Sequence, residues 1–70
     1  PDLTEKDRRD VAKLVETIMS DMEQAGDLNF DGMPMSEEAR AAMASAMRIG
    51  LEEARRRNKE TYTPKKYKKG

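Results

Sequence analysis

The chain contains no cysteine and no histidine. Disulfides are therefore excluded, a zinc site of the usual nitrogen and sulfur kind cannot be assembled, and the commonest general base is missing. Tryptophan is also absent, and one Phe and two Tyr are all the aromatic residues in a chain of 70, which leaves little bulk for a core. The longest apolar run is only a few residues, too short to cross a bilayer or to serve as a signal peptide. A cytoplasmic location is expected on that ground. Pro1 in place of Met points to a removed initiator or to an excised fragment.

Size sharpens these absences. Below about 70 to 80 residues a single core seldom supplies more than ~3–5 kcal/mol without a disulfide, a metal, self-association or a partner. A second domain does not fit in this length. With sulfur and imidazole gone, the remaining supports are an oxygen-ligated metal, a second copy or another macromolecule.

Charge is plentiful, with 14 basic and 14 acidic side chains. The zero sum hides a division along the chain: residues 1–54 hold 6 basic and 13 acidic side chains, residues 55–70 hold 8 basic and 1 acidic. An acidic body with a basic tail points to contact with nucleic acid or another anionic surface.

Two amphipathic helices are predicted. From about residue 4 to 25, Val11, Leu14, Val15, Ile18, Met19 and Met22 recur at steps of three and four and make one apolar stripe. Thr4 is the expected N-cap, Asp7 stands at N3, and Gly26 suits the left-handed C′ position. The second helix, about 36–58, opens on Ser36 with Glu37 and Glu38 in its first turn. Ala39, Met43, Ala46, Met47, Gly50, Leu51 and Ala54 share a broad face flanked by Ala42 and Ile49. Its small side chains permit close approach of another helix. Between the helices, residues 26–35 combine turn formers with Leu28, Phe30, Met33 and Met35, expected to plug one end of the pair. From residue 59, Pro64 and the lack of apolar pattern read as a disordered basic tail.

The fold expected is therefore all-α: an antiparallel two-helix hairpin over residues 1–58, completed by a homodimer or a partner, followed by a flexible tail over 59–70. Met43, Met47, Ile49 and Leu51 are the candidate protein interface. In the basic segment, Arg55, Arg56, Arg57, Lys59, Lys65, Lys66, Lys68 and Lys69, with Tyr67 among them, combine cations for phosphates with a ring that stacks on a base. A solvated tail that aids solubility is the plainer alternative.

Catalysis finds no support. Ser20, Ser36 and Ser45 have no visible base, there is no Gly-rich phosphate loop, and the pairs Glu37/Glu38 and Glu52/Glu53 point about 100° apart on a helix. A non-enzymatic interaction protein is expected. It binds a macromolecular partner through the Met/Ala face, with the tail on nucleic acid or nucleoprotein. A protein-only inhibitor or assembly factor of the phage or bacterial type is the alternative, by analogy of size.

The loop supports a further reading. Residues 27–38, DLNFDGMPMSEE, carry oxygen side chains at places 1, 3 and 5, Gly at 6 and Glu at 12, the EF-hand formula. The stretch GDLNFDG also resembles the loop of dockerin modules. The resemblance covers about a sixth of the chain. It implies Asp27, Asn29, Asp31 and Glu38 as side-chain ligands to calcium, Met33 as a carbonyl ligand and Gly32 as the turn. A plain helix-to-helix connection attracts Asp, Asn and Gly as well, because they tolerate left-handed backbone and bond to their own main chain. On the calcium reading, calcium raises the melting temperature and Glu38→Gln cancels the rise. A melting curve indifferent to chelator leaves turn and cap chemistry alone.

Overall fold

The computed structural model describes residues 2–62. They form α1 (Glu5–Gln24), a hairpin of two-residue strands β1 (Asn29–Phe30) and β2 (Met33–Pro34), and α2 (Glu37–Tyr62). The mainly helical two-helix architecture matches the expectation.

Local chemistry sets each boundary. Thr4 and Asp7 close a capping box: the Asp7 N–H donates to Thr4 Oγ1 at 3.0 Å, and the Thr4 N–H donates to Asp7 Oδ2 at 2.8 Å, so two amides that the first turn leaves orphaned are satisfied reciprocally. α1 ends in a Schellman motif. The Gly26 N–H reaches the Glu23 carbonyl at 3.1 Å, the Asp27 N–H reaches the Met22 carbonyl at 2.9 Å, and Gly26 takes φ +81°, a conformation that costs a side-chain-bearing residue ~1–2 kcal/mol. α2 starts on Ser36, whose hydroxyl accepts from the Ala39 N–H at 3.1 Å.

The connection is a true β-hairpin. Phe30 pairs with Met33 and Asn29 with Pro34, leaving Asp31 and Gly32 as a two-residue turn with φ of 53° and 78°. Two successive positive φ values fit a type I′ turn, the geometry that Asp-Gly favours. The expected plug is thereby corrected. Leu28 is buried and Met35 half-buried, held together where the Met35 N–H donates to the Leu28 carbonyl at 3.1 Å. Phe30 and Met33 are 59% and 67% exposed, because the tight turn carries them outward to the tip.

The core is narrow. Val11, Val15 and Met19 of α1 and Leu28 of the connection form its buried centre, with Met19 wholly enclosed, and Met22, Met35, Met43, Ala44, Met47 and Leu51 pack around it. The α2 contact face is narrower than the expected arc: Ala39, Ala46, Gly50 and Ala54 are exposed. A single neighbouring helix covers only part of a helix's circumference, and the larger Met and Leu side chains take that part. No residue of α2 is fully buried.

α2 also runs past the expected fraying point at Asn58 to Tyr62. No helix breaker occurs before Pro64, the Thr61 hydroxyl donates to the Arg57 carbonyl at 3.1 Å, and the Lys59 ammonium is anchored on Asp7. The first four residues assigned to the tail are therefore helical. The remainder, 63–70, lies outside the described residues.

Two substitutions test this account in thermal or denaturant unfolding. Met19→Ala removes the one fully enclosed side chain and is expected to cost about 2–5 kcal/mol. Gly26→Ala, at the left-handed cap, is expected to cost roughly 1 kcal/mol without changing helical content.

Candidate interaction surfaces

The helices are antiparallel, and ion pairs fasten both ends. At the turn end, Arg40 Nε and Nη2 lie 2.7 and 3.1 Å from the two oxygens of Glu23, a forked geometry that fixes orientation as well as charge. At the open end, Arg55 Nη1 donates to the Asp7 carbonyl at 3.3 Å and lies 3.6 and 3.7 Å from the carboxylates of Asp7 and Asp10, while Lys59 bonds Asp7 Oδ2. The hydrogen bond from Lys59, followed by that from the Thr4 amide, holds the Asp7 carboxyl well below the usual carboxylate range. The Arg40 hydrogen bond lowers Glu23 in the same way.

This placement divides the basic candidates. Arg55 and Lys59 are engaged with α1. Arg56 and Arg57 share Glu53, Arg57 Nε lying 2.8 Å from Glu53 Oε2. Lys65, Lys66, Tyr67, Lys68 and Lys69 lie outside the described residues. The fold also brings the start of α1 beside the end of α2, so Arg8, Arg9 and Lys13 join the same end. All three are exposed, and they make no ion pair among the described residues. Only the antiparallel pairing, seen in the contacts of Asp7 and Asp10 with Arg55 and of Asp7 with Lys59, brings this part of α1 to the end of α2.

The opposite end is acidic. Residues 21–38 contain Asp21, Glu23, Asp27, Asp31, Glu37 and Glu38 and no Lys or Arg. Among the described residues no three Asp or Glu side chains are gathered as a metal-holding group. Asp27, Asn29, Asp31, Met33 and Glu38 are each exposed, and Asn29 and Met33 are paired into the hairpin.

Of the candidate interface residues, Met43, Met47 and Leu51 pack partly against α1 in the same chain, while Ile49 is 63% exposed on the far side of α2. Between the helices lies an open groove of about 370 Å³. Its walls are Val11 and Leu14 from α1 and Leu51 and Ala54 from α2, with Asp10, Arg55 and Asn58 at the rim. Leu14, in the middle of the expected core stripe, is 46% exposed there. Among the described residues no helix is long and apolar enough to cross a membrane.

Comparison with known proteins finds one informative relative. The chain is 43% identical over 63 residues to an immunity repressor protein of Bacillus phage phi105, a match that covers 90% of this chain and 43% of that protein. The chain thus spans less than half the length of the relative. No family model matches, and no solved structure matches.

The clasp at Asp7 predicts a pH dependence with a definite sign. Its carboxyl titrates lower in the folded chain than in the unfolded one, so the stabilisation is complete above the ordinary Asp pKa of about 3.9 and is lost as pH falls below it. Asp7→Asn is expected to melt lower than the parent at neutral pH, and the difference should shrink steadily as the pH falls below about 4. Melting curves across that range check it; a constant difference would show that the charge is not what matters.

Proposed function

We propose that this chain is part of a phage-type repressor: a non-enzymatic regulator that acts by binding, with its basic end on nucleic acid phosphates. The observation that carries the reading is the 43% identity, across nine-tenths of the chain, to a protein named as an immunity repressor. The arrangement of charge supports it, since α1 contributes Arg8, Arg9 and Lys13 at the end from which the Lys-rich segment 63–70 continues.

The binding is to the backbone and does not read base sequence. A reading helix of the helix-turn-helix kind crosses its partner at about 90–120° after a turn of three or four residues. Here the two helices lie antiparallel with the whole stretch 25–36 between them, a geometry that offers cations along one end and, among the described residues, no helix set at an angle for a major groove. Phosphate contact of this kind is independent of sequence and falls steeply with salt. A purely protein-directed regulator is the second reading, and the open groove beside Leu14 is the observation that favours it.

Fluorescence anisotropy with a labelled duplex at low and at physiological salt tests the nucleic-acid reading. The full chain is expected to bind with strong salt dependence. Arg9→Ala with Lys13→Ala should lower the slope of log affinity against log salt by about 2, one increment of ~0.9 per phosphate contact. Removing residues 63–70 should lower it further. Salt-independent binding, or none, would sink the reading and leave the protein-directed one.

A further inference from the structure

We propose that the tip of the β-hairpin is a docking site for another protein, one that presents an apolar recess ringed by lysine or arginine side chains.

The hairpin pairing carries the first part. Phe30 and Met33 stand directly opposite each other, so their side chains leave the same face with Cβ atoms about 5 Å apart. Asn29 and Pro34 take the other face, where they line a small cavity of about 170 Å³ together with Glu23, Leu28 and Met35. That face is turned toward the body of the molecule. The Phe30 and Met33 face is turned away from it, which leaves the chain's single Phe 59% exposed beside a Met that is 67% exposed. Exposed apolar residues scattered singly need no explanation. Here two are paired on one face, and the backbone beneath them is fixed: Asp31 and Gly32 both hold positive φ, and the Asn29 and Met35 N–H groups donate to the Gly26 and Leu28 carbonyls at 3.2 and 3.1 Å. An aromatic anchor on a pre-formed turn loses little freedom when it enters a pocket, the combination that concentrates binding energy in an interface.

Charge selects the occupant. The turn end carries Asp21, Glu23, Asp27, Asp31, Glu37 and Glu38, all exposed, and no basic residue between 21 and 38. Arg40 pairs with Glu23, and the other five make no ion pair among the described residues. Asp31 sits in the turn itself, next to Phe30. Uncompensated carboxylates around an apolar pair repel nucleic acid phosphates and complement a cationic protein surface. A second copy of this chain does not offer such a surface among its described residues. Its own turn end is acidic, and residues 2–13 and 52–62 at its open end hold eight basic against seven acidic side chains. The apolar pair thus supplies affinity, and the carboxylates select the sign of the partner. This site lies at the opposite end of the molecule from the cations of the nucleic-acid reading and stands without that reading.

The test uses the full chain and three labelled synthetic peptides, built from lysine and leucine, from glutamate and leucine, and from lysine and serine. Fluorescence anisotropy is expected to show that the lysine and leucine peptide binds and is weakened by salt, that the glutamate peptide does not bind, and that the serine peptide binds at least about tenfold more weakly. Phe30→Ser combined with Met33→Thr should cost a similar factor, whereas Leu14→Ser, in the groove between the helices, should change nothing. Asp31→Asn with Glu37→Gln keeps a turn sequence that favours the same hairpin and should flatten the salt dependence. Circular dichroism confirms that each variant is folded; should the double tip variant unfold, Met33→Thr alone replaces it. Salt-dependent binding of a DNA duplex should be the same in the parent and the tip variant. Undiminished peptide binding by the tip variant, a loss through Leu14→Ser instead, capture of the glutamate peptide, or no binding at all overturns the proposal. So does sedimentation equilibrium that finds a self-associated chain returned to monomer by the tip substitutions, since a second copy would then be the occupant.

Discussion

Everything in this molecule hangs on one narrow line of packing, the Val11, Val15 and Met19 stripe of α1 laid against Leu28 and the Met and Leu side chains of α2. Met19 is enclosed because three segments converge on it, and no comparable point exists on α2, none of whose residues is fully buried. Methionine suits such a seam, since an unbranched and polarizable chain fills irregular space that a branched residue would leave as a void. The consequence is a pair of helices aligned with each other but only half wrapped.

Alignment is then fixed electrostatically at the two ends. Arg40 and Glu23 fasten the helices beside the turn, and Asp7 gathers the Thr4 amide, Arg55 and Lys59 at the far end. Exposed ion pairs contribute little stability individually. Their importance here is geometric: separated by most of the helix length, they set the antiparallel register along a core too short to set it alone. Asp7 also couples a local task, capping its own helix, to a long-range one. The same contact that begins α1 extends α2 beyond the point where its apolar pattern stops.

Along the helices the described residues present two kinds of surface: cations where α1 begins and α2 ends, and an apolar side with Leu14 and Leu51 partly open to solvent. Both enter the binding role proposed on the similarity to a phage immunity repressor.

The two helices, their caps at Thr4 and Ser36, the stop at Gly26 and the stripe through Val11, Val15 and Met19 were legible in the sequence, because each depends on residues within a turn or two of one another. The Asp31-Gly32 turn carried an equally local signal, a dipeptide whose left-handed backbone makes a hairpin, yet the same letters satisfy the EF-hand formula, and composition does not choose between them. Which apolar residues stay uncovered was decided only by the tertiary structure. Leu14 and Val11 are equivalent in the periodic pattern, and their difference in burial arises because the single partner helix lies on one side of the stripe. The meeting of Asp7 with Arg55 and Lys59 likewise spans some fifty residues of sequence. Local spacing encodes what a segment becomes; the direction from which another segment approaches, and so which surfaces remain for a partner, exists only after the chain has turned back on itself.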